Sequence, residues 1–261
     1  MKKFLTFSLF LAFLLSSTTL QAKTISLIFL YPGGQGSQEQ AQPLLDNFAK
    51  FLKENSQGKI DVQIKYFSNE KAGEQFIQSK KPAAGILAED LFVEKGNVWQ
   101  AQKLLQTLQL PSGDGTNQYF IIGNNKELLP TSGSLFLMST RPLTGSFVRQ
   151  KLFPDQELTL EVKKVPNVVG KLRKIGRGQE KGFVLLDQFE YATIKRLKAS
   201  WANDLKTFAS SKKVPSAPFV VFKENISSPQ SKELKKALLK LTQDGKAKET
   251  LGLLRIKGFQ E

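Results

Sequence analysis

The order of elements predicts an α/β chain built as two lobes, each a mainly parallel sheet flanked by helices. Three observations carry that prediction. Short apolar runs bounded by turn formers alternate with amphipathic segments along nearly the whole sequence. A segment dense in turn formers, Leu110-Pro111-Ser112-Gly113-Asp114-Gly115-Thr116-Asn117, divides the alternation into two series. Each series also contains a strand-to-helix turn rich in glycine and hydroxyl groups, one near 32–37 and one near 139–146.

The first of these turns organises the chain. Leu27 to Tyr31 is a short apolar run that stops at Pro32-Gly33-Gly34, which reads as a buried strand and its turn. Leu44, Leu45, Phe48, Phe51 and Leu52 then fall on one helical face. Ser37 with Gln40 three residues on is a capping-box pattern. If the helix starts at Ser37, Pro43 lies in its second turn, so the first turn is expected to be bent or the helix to start late. Such a turn offers free backbone N–H groups at the positive end of a helix, which suits an anion; any α/β protein also needs glycines there simply to turn. Two familiar phosphate loops are excluded. Glu39 stands where a dinucleotide fingerprint needs its third glycine, and no Gly-Lys-Ser/Thr follows Gly33.

The remaining elements follow in order. Residues 59–66 alternate polar and apolar as a half-buried strand, 69–79 read as a helix and 83–88 as a short strand. One helix is expected from 89 to about 108. Beyond the linker come strands at 118–123 and 134–138, a helix over 147–152, a strand at 159–165 and a helix at 167–176. A buried strand at 182–186 ends at Asp187, with a helix expected from 188 to about 208. An apolar strand at 217–222 leads to a helix opened by Ser228-Pro229, with Leu234, Ala237, Leu238 and Leu241 on its apolar face. A final short helix is expected to run into Leu254-Arg255-Ile256-Lys257-Gly258-Phe259.

Composition narrows the function. Met1-Lys2-Lys3, an apolar run to Leu15 and a polar stretch to Ala22 form the layout of a secretory signal peptide over 1–22. The run is shorter than the ~20 residues that a membrane span needs. No cysteine follows, so a lipid anchor is not expected; the predicted product is periplasmic, soluble and monomeric. The chain has no histidine, which removes Ser-His and Cys-His nucleophile pairs, the commonest neutral-pH base and the commonest zinc ligand. No enzyme, metal or cofactor is therefore expected. The formal charge of +15 includes Lys2 and Lys3, and the lysines are spread along the chain without an aromatic-basic pattern. That reads as a solvated surface with some steering of anions, not a nucleic-acid interface.

The second turn, Ser139-Thr140-x-x-x-Thr144-Gly145-Ser146-Phe147, joins Tyr31-Pro32-Gly33-Gly34-x-Gly36-Ser37 and the closing Leu254-x-Ile256-x-Gly258-Phe259 in a recognisable set. On these motifs, and on element order over nearly all of the expected mature chain, the sequence resembles the phosphate/phosphonate-type substrate-binding proteins of ABC transporters. These belong to the two-lobed, transferrin-like type 2 periplasmic binding proteins. The resemblance implies two crossing strands between the lobes. Lobe one is then 23–118 with 218–261, and lobe two is 119–217. It also implies a small oxyanion such as phosphate, phosphite or a phosphonate held at the crossing, and a membrane permease as partner.

Carried onto this sequence, the resemblance places Tyr31, Gly36 and Ser37 at the first turn, and Ser139, Thr140, Thr144 and Gly145 as anion donors of lobe two. Asp187 would hold an amino group on the ligand; its alternative role is an ordinary N-cap. Thr144 and Ser37 are equally suited to capping. Glu89 and Asp90 depart from the pattern, standing where family members often carry glycine, serine or threonine. Two carboxylates there repel a phosphonate unless they turn away or hold a cationic group. Arg141 is either a direct anion partner or, beside Pro142, a surface residue. Two other functions stay open at this point. One is a ligand sensor that passes occupancy to a membrane kinase. The other is an exported enzyme using Glu89, Asp90 and Asp187 as acid/base groups.

Overall fold

A computed structural model describes residues 24–34 and 36–261. The expected signal peptide at 1–22 lies outside the described residues. The chain forms two principal sheets and a small ribbon. Strand β1 (Thr24–Leu30) pairs in parallel with β2 (Asp61–Phe67) and β3 (Ala84–Leu87). Helix α1 (Gln38–Asn55) connects the first pair, and α2 (Glu70–Lys80) lies between β2 and β3. The alternation of β1 decides which helices cover which face, because successive side chains of a strand point to opposite sides. Ile25, Leu27 and Phe29 pack with Leu45, Phe48 and Leu52 of α1, whereas Ile28 and Leu30 pack with Leu87 and Leu91 on the other side.

The expected helix from 89 to about 108 is instead two elements. Helix α3 (Glu89–Lys95) ends at Gly96, and β4 (Ala101–Gln109) enters the first sheet. Propensity alone favoured helix for this leucine- and glutamine-rich stretch, but pairing on both edges outweighs it. Those partners arrive from the far end of the chain: β12 (Pro218–Phe222) and β13 (Ile256–Gln260) flank β4, both antiparallel to it. The C-terminal segment expected as helix is therefore α8 (Lys248–Leu253) followed by an edge strand. Between them, α7 (Ser228–Gln243) is capped by Ser227, one residue earlier than expected, and buries the four predicted apolar residues.

The second sheet is built from β6 (Tyr119–Asn124), β7 (Ser134–Ser139), β8 (Thr159–Lys164), β9 (Phe183–Asp187) and β10 (Leu205–Ser210), in the order β10-β6-β9-β7-β8. Strands β7, β8 and β9 run parallel, and β6 and β10 are antiparallel additions. Gly145–Phe147 is a short helix, α4, continued by one π turn to Leu152; α5 (Val168–Gly176) covers the opposite face. The helix expected to about 208 stops early: α6 (Gln188–Arg196) gives way to a 3-10 turn and β10, again because a sheet edge takes the segment. Between the two sheets the chain runs outward through β5 (Thr116–Asn117) and returns through β11 (Val214–Pro215), which pair with each other. No helix among the described residues is long and apolar enough to cross a membrane.

Phe48 sits at the centre of the first core, fully buried, with its ring 5.5 Å from Phe29 and 6.3 Å from Phe259. Phe48→Ala is expected to lower stability by about 3–5 kcal/mol through lost burial and the cavity left behind. Urea unfolding followed by circular dichroism measures the difference.

Candidate functional site

The carboxyl ends of β1, β3 and β9 converge on a cavity of about 310 Å³. The first sheet and its helices supply an apolar wall that includes Phe29, Leu44, Leu45, Ile86, Leu254 and Ile256. The second sheet supplies a polar wall of Thr140, Arg141, Asp187 and Glu190, and the aromatic rings of Tyr31 and Tyr66 also line the space. Gly33 marks how closely the two halves meet. Its φ of +77° is a glycine conformation, and a Cβ there would lie 2.5 Å from the Thr140 carbonyl oxygen and 2.8 Å from the Arg141 Cα.

The strongest contact between the halves is a buried ion cluster. Arg141 follows β7, and its side chain is only 6% exposed. Its Nη1 donates to Glu89 Oε1 at 2.9 Å and its Nη2 to Asp90 Oδ1 at 2.6 Å, both carboxylates being at the start of α3. Nη1 also reaches the Tyr119 hydroxyl at 2.8 Å and the Tyr31 hydroxyl at 3.2 Å. The guanidinium carbon lies 4.3 Å from the Tyr31 ring centroid, a cation–π contact. Glu89 Oε1 further accepts the Asn117 side-chain amide at 2.9 Å and the Tyr119 hydroxyl. Glu89 Oε2 and Arg141 Nε are buried without a partner among the described residues.

Burial opposes the charge on Glu89, but Arg141 and the Tyr119 hydroxyl outweigh it and hold the carboxyl below its usual range. For Asp90 burial wins: the carboxyl is pushed up to about 6 despite the neighbouring Arg141, with Glu89 adding to the rise.

A second carboxylate pair lines the cavity itself. Asp187 caps α6 by accepting the Glu190 backbone N–H at 2.8 Å, and Glu190 accepts the Asp187 N–H at 3.1 Å in return. Glu190 also takes the Thr140 hydroxyl. Burial raises Asp187, and burial with the adjacent Asp187 charge pushes Glu190 up to about 7. Neither carboxylate forms an ion pair among the described residues. Arg255 lines the same cavity, with its guanidinium 4.6 Å from the Phe189 ring centroid.

Of the residues expected at the site, Tyr31, Thr140 and Asp187 line the cavity. Gly36 and Ser37 are exposed, and Ser37 is used as the α1 cap with Gln40 completing the box. Ser139 is buried and accepts the Arg141 backbone N–H at 3.2 Å. Thr144 caps the turn at α4 and gives its hydroxyl to Glu94 of α3, as does Ser146; Gly145 is exposed. Thr140, Thr144, Ser146 and Arg141 thus meet carboxylates of the chain itself. Arg141 is neither on the surface nor free for an anion. Sequence reasoning missed Glu190, Tyr66, Tyr119 and Arg255. Glu190 was readable as the closing residue of an Asp-x-x-Glu capping box, three positions after Asp187; nothing local marked the other three.

Two outcomes follow. Asp90 and Glu190 keep their protons to higher pH when folded than the ordinary carboxylate value of about 4. The folded chain thus binds more protons than the unfolded one between about pH 4 and pH 7. Stability is therefore greatest at the lower end and falls as pH rises through that window. Glu89 acts the opposite way, but only below its ordinary range. Calorimetric melting at constant ionic strength is expected to show the fall, and Glu190→Gln is expected to flatten it. Gly33→Ala is expected to cost about 1–2 kcal/mol from the left-handed backbone alone, plus the clash with Thr140. Small-angle scattering is expected to report a larger radius of gyration as the halves part.

No family model matches the sequence, and no curated protein matches it. Solved structures do. The chain superposes on the binding-protein component of a phosphonate ABC transporter from Pseudomonas aeruginosa with a TM-score of 0.60, 14% identity and coverage of 92% of this chain and 81% of that one. A Prochlorococcus marinus protein in complex with methylphosphonate gives 0.63 at 12% identity, covering 92% and 93%. The ligand-binding core of a receptor from Nostoc punctiforme, in complex with L-glutamate, gives 0.52 at 12% identity, covering 88% and 98%. The chain has the two-lobed fold of type 2 periplasmic binding proteins.

Proposed function

We propose that this protein is a periplasmic solute-binding protein, which captures a small molecule between its lobes and delivers it to a membrane permease. The observation that carries this reading is the 310 Å³ cavity at the carboxyl ends of the strands, walled by both sheets. The lobes are 23–118 with 218–261, and 119–217; they hinge at the β5–β11 ribbon, and the protein acts as a monomer without catalysis.

The ligand chemistry supported best is an organic solute with an apolar body and a hydrogen-bond-donating or cationic group. The body would lie on Leu44, Leu45 and Leu254, and the donor group would face Asp187 and Glu190. The narrower reading of a phosphate, phosphite or phosphonate-like oxyanion finds support in Arg255, which forms no ion pair among the described residues, and in the methylphosphonate carried by one structural relative. It has to contend with the carboxylates that already hold Arg141.

A thermal-shift screen of the mature chain from Lys23 tests the proposal with amines, amino acids, oxyanions and phosphonates. A cognate solute at a hundredfold excess over its Kd is expected to add about 2.7 kcal/mol of stability. Glu190→Gln, which keeps the shape of the cap, is expected to weaken a donor-bearing ligand at least about tenfold, or ~1.4 kcal/mol. No response to any solute class would overturn solute capture.

A further inference from the structure

We infer that Glu89 and Asp90 act as built-in counter-anions, which occupy Arg141 and so bar small oxyanions from that guanidinium. The inference rests on the solute-capture reading of the same cavity and names what Arg141 refuses there. Both terminal nitrogens of Arg141 are engaged, at 2.9 Å by Glu89 and 2.6 Å by Asp90, and the three side chains are almost fully enclosed. The cluster already holds two carboxylates for one guanidinium. At Arg141 an arriving phosphate would meet net negative charge, not an unpaired cation.

The energetics favour the internal partners. They are tethered, so they bind Arg141 without the translational loss that a free anion suffers. Displacing either one would leave a carboxylate buried and unpaired, which is heavily penalised in a low-dielectric interior. Asn117 and Tyr119 hold Glu89 Oε1 in place, so the carboxylate is positioned by the chain and not merely tolerated. The same exchange is repeated a turn further along α3, where Glu94 takes the hydroxyls of Thr144 and Ser146. On this stretch of the second lobe Thr140, Arg141, Thr144 and Ser146 each give a donor to a carboxylate of the chain.

The test uses the full mature chain, with inorganic phosphate and methylphosphonate as probes, in isothermal titration and thermal shift at matched ionic strength. Asp90→Asn removes one charge at constant shape, and Glu89→Gln with Asp90→Asn removes both. Wild type is expected to give no saturable, Arg141-dependent signal with either anion. The double variant is expected to bind at least one of them at least tenfold more tightly than wild type, with a melting temperature that the anion raises. Adding Arg141→Gln to the double variant is expected to abolish the gain, which separates the site from the basic surface. If the double variant does not fold without anion, refolding yield in phosphate against sodium chloride gives the same readout, and Asp90→Asn alone supplies the titration. Saturable, Arg141-dependent phosphate binding by wild type would overturn the inference while leaving solute capture intact. Variants that fold but gain no anion affinity would also overturn it, reducing the cluster to a structural tie. Titrating wild type with amines and amino acids in the same series reports on solute capture separately.

Discussion

The pairing of Arg141 with Glu89 and Asp90 is the interaction around which the two halves are arranged. The guanidinium leaves the second sheet just after β7, and the carboxylates leave the first sheet just after β3, so the cluster can form only when the carboxyl ends of both sheets face each other. Burying three charges is expensive, and attraction offsets the desolvation only where geometry and additional hydrogen bonds are good. Here Tyr31, Tyr119 and Asn117 supply those bonds. The arrangement is better suited to defining one relative placement of the halves than to adding net stability.

Much of the remaining site follows from that placement. Gly33 must lack a side chain because the backbone at Thr140 and Arg141 passes over it. Tyr31 serves both halves, since its ring belongs to the first lobe while its face and hydroxyl meet Arg141. The cavity left beside the cluster is asymmetric in chemistry. Leucine and isoleucine come from the first lobe, and Thr140, Asp187 and Glu190 come from the second. Solved structures of this fold include complexes with methylphosphonate and with L-glutamate, so the fold by itself does not set the ligand class.

Asp187 illustrates how capping a helix and lining the cavity need not be alternatives. Its Oδ1 closes the first turn of α6, and the residue still lines the cavity. The capping box brings Glu190 alongside it; burial raises both carboxyls, and the Asp187 charge adds to the rise at Glu190. A local device for starting a helix thus sets the electrostatics of the cavity wall.

The sequence by itself determined the α/β class, the strand-to-helix turns, the Ser37 cap and the identity of the buried strands β1, β9 and β12. These are encoded within a few residues of one another, through apolar runs, periodicity and side-chain-to-backbone bonds. It misassigned 101–109, 205–210 and 256–260, whose strand character comes from neighbours more than a hundred residues away for β4 with β12, and about eighty away for β10 with β6. The roles of Glu89, Asp90 and Arg141 were likewise decided only by tertiary structure. Each could be read locally as charged and anomalous, but a charge has no assigned partner until the chain brings one within hydrogen-bonding distance. Here the partners lie about fifty residues apart and on different sheets.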